Sequence, residues 1–107
     1  METQEILDTS IAIERPEGTI TLFTAIEYPP SLKKSFDVII PEIEDYIKAI
    51  EIADKLRSIG KPIGAIDIII AAMCLNRSLK LITKDGDFKS VKSVFPELVL
   101  EVVESER

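Results

Sequence analysis

Two rhythms of apolar positions alternate along this chain. Short β-branched or aliphatic runs at 5–7, 19–23, 38–40, 79–82 and 98–103 have the length of buried strands and are bounded by turn residues. The segments between them read as helix. A turn of helix at 10–13 is closed by Arg15-Pro16-Glu17-Gly18, and a helix opening at 24–28 is stopped by Pro29-Pro30. A short polar helical turn covers 31–35. The spacing predicts a long helix over 42–59, with Pro41 at its first helical position and Gly60 past its end. On that helix Ile43, Ile47, Ile50, Ala53 and Leu56 form the predicted core stripe. Glu44→Lys48 and Glu51→Lys55 pairs mark the opposite, solvated face. A second helix over 63–76 is apolar almost all round, as in a helix buried on most sides. A polar connector with one helical turn covers 89–95, and 104–107 reads as a frayed tail. Strands alternating with helices predict an α/β fold with a mainly parallel sheet.

The apolar helix carries one charge, Asp67. An isolated ionised carboxylate there costs several kcal/mol unless something pairs it. Asp67 is therefore ion-paired, at the wet end of its helix, or holding a metal. A second acid, Asp85, lies just past a strand, in the turn Thr83-Lys84-Asp85-Gly86-Asp87-Phe88. Sites in open α/β sheets form outside the carboxyl ends of the strands. Asp8 follows the first strand in the same way, where it is either a helix cap or a site acid. Glu27 is either a solvated acid of a helical turn or a fourth member. Parallel strands end on one side, so Asp8, Glu27, Asp67 and Asp85 can converge on one rim.

Composition narrows the chemistry. The chain has 107 residues, enough for one core, and 46% of them are hydrophobic, so it is globular rather than disordered. The apolar run at 63–75 is too short to span a membrane, and the acidic, polar start is unlike a secretory signal. Cys74 is the only cysteine, which excludes an intrachain disulfide. A cytoplasmic protein is expected. A net charge of −6 argues against a passive, charge-driven nucleic-acid binder. The chain has no histidine, which excludes Ser-His-Asp and Cys-His catalysis and His-ligated zinc. A metal held here is hard and oxygen-ligated: Mg²⁺, Mn²⁺ or Ca²⁺.

Four segments together resemble a known family. They are Leu7-Asp8-Thr9-Ser10, then Ile26-Glu27-Tyr28, then Gly60-Lys61-Pro62-Ile63-Gly64-Ala65-Ile66-Asp67-Ile68-Ile69-Ile70-Ala71-Ala72, then Leu81-Ile82-Thr83-Lys84-Asp85-Gly86-Asp87-Phe88. In this order they are similar to the PIN domain, in its small prokaryotic VapC-like branch. The resemblance implies a three-layer α/β/α sandwich with a mainly parallel sheet of four or five strands, formed by residues 1–107 as a single domain. It implies a Mg²⁺- or Mn²⁺-dependent endoribonuclease, often the toxin of a toxin–antitoxin pair. Asp8, Glu27, Asp67 and Asp85 match the family's acidic metal-binding cluster, and Thr83 and Asp87 match supporting positions. The implied partners are an RNA substrate and an antitoxin protein. One departure stands out: the first two strands are separated by only 10–18, where the family usually fits one or two helices.

That shortening leaves apolar surface open and predicts a homodimer. Lys33, Lys34, Lys84 and Lys89 are candidates to hold flanking phosphates, against the ordinary reading of solvated lysines. The alternative to a nuclease is a PIN scaffold, weak or inactive in catalysis, that acts as a protein-interaction domain. A phosphotransfer protein of the haloacid-dehalogenase type fits poorly, since Ser10 stands where that chemistry needs a second Asp.

Overall fold

The computed structural model of the protein describes residues 4–104. The polar start (1–3) and most of the expected tail (105–107) lie outside the described residues. The chain runs β1 (Glu5–Leu7), α1 (Thr9–Ala12), β2 (Glu17–Thr21), α2 (Leu22–Glu27), a 3-10 turn (Pro29–Lys33), β3 (Ser35–Ile39), α3 (Ile43–Ser58), α4 (Ala65–Arg77), β4 (Lys80–Thr83), α5 (Phe88–Val94) and β5 (Leu100–Val102). All strand pairings are parallel, as expected. The ladder divides into a sheet ordered β1-β4-β5 and a pair β2-β3. β2 runs beside β1 without a bonded ladder. It passes close to Leu7 at Gly18, where φ is +144° and a Cβ would stand 2.7 Å from Leu7 Cδ1. No side chain fits there, and few residues adopt that backbone.

Strand alternation makes two cores, one on each face of the sheet. Ile6 and Leu81 face the larger core with Ile52, Leu56, Ile70, Ala71, Phe88 and Val91 of α3, α4 and α5. Leu7 and Ile82 face the smaller core with Ile11, Ala12 and Ile20. The layers are therefore helices, sheet, and a thin second helical layer of α1 and α2. The shortness of 10–18 is visible directly, since α1 is 4 residues long.

Several sequence expectations are corrected, among them the third strand, which runs Ser35–Ile39 rather than 38–40. The second strand ends at Thr21 rather than 23, because the Thr21 hydroxyl accepts from the Thr24 N–H at 3.3 Å and starts α2 there. Pro41 lies outside α3. Glu42 is its cap, in a capping box with Asp45. The core stripe of α3 is also different. Ala49, Ile52 and Leu56 are buried, whereas Ile43, Ile47 and Ile50 are 74%, 62% and 71% exposed. The physical reason is Asp45, which heads the true stripe and is 1% exposed. Arg77 of α4 meets it with two hydrogen bonds of 2.8 Å, and Asn76 adds a third at 3.0 Å. Burial alone would raise the Asp45 carboxyl, but these partners and the Glu42 N–H hold it below the usual carboxylate range. Periodicity could not see an acid as a core residue. The charged pairs of the outer face also regroup: Lys48 pairs with Glu51 at 3.3 Å, and Lys48 and Lys55 both lie over the Phe95 ring.

The ends of α3 and α4 place the next elements. Gly60, at φ +73°, closes α3, with Gly60 N–H on Arg57 O and Lys61 N–H on Leu56 O. At the end of α4 the same left-handed position is taken by Ser78, φ 54°. The buried thiol of Cys74 is pushed up to about 12 by burial, so it is inert. No described helix is long and apolar enough to cross a membrane.

Candidate metal centre

The β1–β4 register builds the rim. Leu7 pairs with Ile82, so the chain leaving β1 at Asp8 runs beside Thr83 at the end of β4. The Asp8 N–H continues the ladder to Ile82 O at 2.9 Å. The Thr83 hydroxyl donates to Asp8 Oδ2 at 2.7 Å, and both side chains are buried. Asp8 sits at the cap position of α1, yet its side chain makes no cap bond. It accepts instead from Thr83 and, at 3.4 Å, from Ser10 Oγ. Ser10 Oγ in turn accepts from the Lys84 N–H at 3.0 Å.

The turn after β4 is drawn toward the same place. The Asp85 N–H donates to Thr83 Oγ1 at 2.9 Å, and the Asp87 N–H donates to Asp85 Oδ1 at 2.9 Å. Thr83 therefore touches both strand-end acids, the Asp8 carboxylate and the Asp85 backbone. Glu27 ends α2 and is exposed. It accepts from Thr9 Oγ1 at 2.8 Å, a hydroxyl one residue after Asp8. Thr9 was not singled out by sequence reasoning. Its only signal was its place directly after a strand-end acid.

Asp67 stands in the first turn of α4, half-buried. Of its three sequence readings, pairing with a base is not what the structure shows, since Arg77 is engaged by Asp45 and no described residue forms an ion pair or hydrogen bond with Asp67. Burial, followed by the charges of Asp8, Asp85, Glu27 and Asp87, pushes its carboxyl up to about 6. The structure thus brings the other three sequence-chosen acids, and Asp87, within electrostatic reach of Asp67. It does not draw them tightly together. Among the described residues, no three acidic side chains gather closely enough to close around one ion. Each outer carboxylate is held by its own donor: Asp8 by Thr83, Glu27 by Thr9, Asp85 by the Asp87 amide.

The donor set fits a hard divalent cation. It offers carboxylate oxygens alone, and no lysine or arginine is paired into it among the described residues. Lys84 pairs with Glu14 instead. Lys34 is also engaged: its ammonium donates to Ile13 O and Arg15 O at 3.0 Å, against the Tyr28 ring. It closes the end of α1, so it is no free phosphate ligand. Lys33 and Lys89 are exposed.

The comparisons agree with this fold. The family profile of the PIN domain matches residues 26–94. The chain is similar to a solved chain of DNA-bound VapBC from Salmonella typhimurium, at 19% identity and a TM-score of 0.74, covering 94% of this chain and 98% of that one. It is similar to a chain of VapBC-5 from Mycobacterium tuberculosis, a member of the VapBC family of toxin–antitoxin systems, at 18% identity and 0.73, covering 97% and 100%. VapBC2 from Rickettsia felis, bound to a promoter DNA fragment, matches at 18% identity and 0.72, covering 92% and 97%. No curated protein sequence gives a significant match.

Proposed function

The chain belongs to the PIN domain family, and from that premise we propose that it is a divalent-metal-dependent endoribonuclease of the VapC type. The observation that supports the reading is the common electrostatic neighbourhood of Asp67, whose carboxyl is pushed up by burial and by the charges of Asp8, Asp85 and Glu27. We take residues 1–107 as one such domain, shortened between β1 and β2.

In this reading Asp8, Asp67, Asp85 and Glu27 hold Mg²⁺ or Mn²⁺. When bound, the cation neutralises charge on the scissile phosphodiester and makes a water more acidic. The protein's own side chains do the rest. Thr83 fixes the buried Asp8 carboxylate by its 2.7 Å hydrogen bond and steadies Asp85 through the backbone. Thr9 aims Glu27 at the same rim. Asp85 or Asp87 would orient the attacking water by accepting a hydrogen bond from it. In-line displacement then needs no covalent intermediate. A cation also reconciles a chain of net charge −6 with a polyanionic substrate. Lys33 and Lys89 are left to meet flanking phosphates. The solved relatives are toxin–antitoxin assemblies, which supports an antitoxin protein as partner and a toxin role for this chain, working in the cytoplasm.

The second reading is a PIN scaffold, catalytically weak or inactive, that works by protein interaction. The open spacing of the acids favours it. Calorimetric titration with Mn²⁺ separates the two at the level of the site. The nuclease reading expects binding that is lost in Asp8→Asn and Asp85→Asn. Binding unchanged in both variants removes the metal assignment.

A further inference from the structure

α1 carries two hydroxyls that hold acids of the rim, yet it is 4 residues long. Thr9 Oγ1 donates to Glu27 Oε1 at 2.8 Å, and Ser10 Oγ, one position on, donates to Asp8 Oδ2 at 3.4 Å. Successive helical residues point about 100° apart. Both bonds therefore depend on the rotation and height of one short helix. A single turn of helix has little stability of its own. Ile11 and Ala12 anchor its inner side in the smaller core.

The far end of α1 is held differently. Three carbonyls at and beyond that end converge on one cation. The Lys34 ammonium donates to Ile13 O and Arg15 O at 3.0 Å, and to Ala12 O at 3.4 Å. An ammonium has three donors, and these three acceptors use them all. The Tyr28 and Phe36 rings flank the same charge at 5.1 and 5.9 Å. The strand register sets this up. Ser35 pairs with Glu17 at the start of the β2–β3 ladder, and the Ser35 N–H donates to Pro16 O at 3.1 Å. Lys34 thus stands beside the chain entering β2, and its stem reaches back to the end of α1. Carbonyls at a helix end otherwise fall to water. The short 10–18 segment supplies no second helix to pack on α1. We propose that Lys34 takes that part. It is a positioning residue for the acidic rim: it locks the end of α1 and so holds Thr9 against Glu27 and Ser10 against Asp8. The consequence for a bound cation rests on the nuclease reading; the hold on Glu27 does not.

Carbon-13 spectra of the side-chain carboxylates of the full chain, in EDTA, test the hold. Thr9→Val removes the donor and shows where the Glu27 signal lies without its hydrogen bond. Lys34→Met keeps an apolar stem over the two rings and loses all three bonds to the end of α1. Its Glu27 signal is expected to move most of the way to the Thr9→Val position. Lys34→Gln, with a polar head on a shorter stem, is expected to move it in the same direction, and serves where the Met variant folds poorly. Arg77→Ala weakens the fold on the other side of the molecule and controls for mere loss of stability; its Glu27 signal stays in place. In calorimetric titration, Mn²⁺ is expected to bind both Lys34 variants about tenfold more weakly than wild type, and Arg77→Ala as tightly as wild type. A Glu27 signal at its wild-type place in both Lys34 variants overturns the proposal. So does a signal that moves equally in Arg77→Ala, or a Mn²⁺ affinity unchanged by both Lys34 substitutions. A wild type that binds no Mn²⁺ removes the nuclease reading instead, and the Glu27 signal then decides on Lys34 alone.

Discussion

The Thr83 hydroxyl donates to Asp8 Oδ2 at 2.7 Å, tying the end of β4 to the end of β1 within the acidic rim. Thr83 Oγ1 also accepts from the Asp85 N–H at 2.9 Å, so one threonine holds one strand-end carboxylate and the backbone of the other. Thr83→Val keeps the shape and removes both bonds. Leaving a buried carboxylate without its donor is expected to cost about 1–3 kcal/mol. Urea denaturation in EDTA measures it. A midpoint equal to wild type would mean that Asp8 is held by something else.

Asp67 gives a pH dependence with a definite sign. Its carboxyl is pushed up to about 6 in the folded chain by burial and by Asp8, Asp85, Glu27 and Asp87, against 3.8 for the unperturbed group. The folded state thus binds this proton more tightly than the unfolded state. Its stabilising effect is fully present below pH 3.8 and is lost as pH rises through about 6. Relative to an Asp67→Asn variant, the wild type in EDTA is expected to lose melting temperature across that window. At pH 7 in EDTA the variant should melt at the same temperature or higher, since it removes one of the repelling charges. Mn²⁺ should raise the wild-type melting point, because it binds the folded form, and raise that of the variant much less. A variant that melts far below wild type in EDTA would show Asp67 to be a structural acid.

The buried pair on the other side of the molecule behaves oppositely. Asp45 is held below the usual carboxylate range, so its contribution is present above 3.8 and is lost as pH falls through the lower folded value. Arg77→Ala leaves Asp45 buried and uncompensated. A loss of about 3 kcal/mol is expected, at the low end for buried pairs because the Arg77 side chain keeps 23% exposure. Removing Glu101 from its exposed pair with Lys80 should change little. Equal effects of the two substitutions would contradict this account of the α3–α4 junction.

Ser78 occupies a left-handed turn at φ 54°, with Leu79 N–H on Cys74 O at 2.9 Å. Glycine adopts that backbone without steric cost, as Gly60 does at the end of α3. Ser78→Gly is expected to stabilise the chain by about 0.5–1 kcal/mol, visible as a rise of a few degrees in the thermal midpoint. A drop in the midpoint would mean that the Ser78 side chain does more at that turn than its backbone position suggests.

The strands, their parallel order and the apolar α4 were legible because each follows from a local pattern. Asp8, Asp67 and Asp85 stood out as candidates because two stand at strand ends and one interrupts an apolar helix, whereas Glu27 had no such local mark. The face of α3 was not legible. Two apolar stripes share that helix, and Asp45 at the head of the buried one made the exposed one read as core. Only the position of Arg77, supplied by α4, decides between them. The engagement of Lys34 by the end of α1 was hidden for the same reason, since its acceptors are backbone carbonyls of a distant segment. The spacing between the acids is a tertiary quantity, and no run of residues encodes it.

In the proposed reading, this rim cuts RNA with the help of a hard cation. The most direct measurement is incubation of the pure protein with a varied pool of RNAs in Mn²⁺, in Mg²⁺ and in EDTA, beside Asp85→Asn at equal concentration. The account predicts defined RNA fragments from the wild type with either cation, none in EDTA, and none from the variant. Intact RNA in every lane, or fragments that form equally in EDTA and with Asp85→Asn, would contradict it.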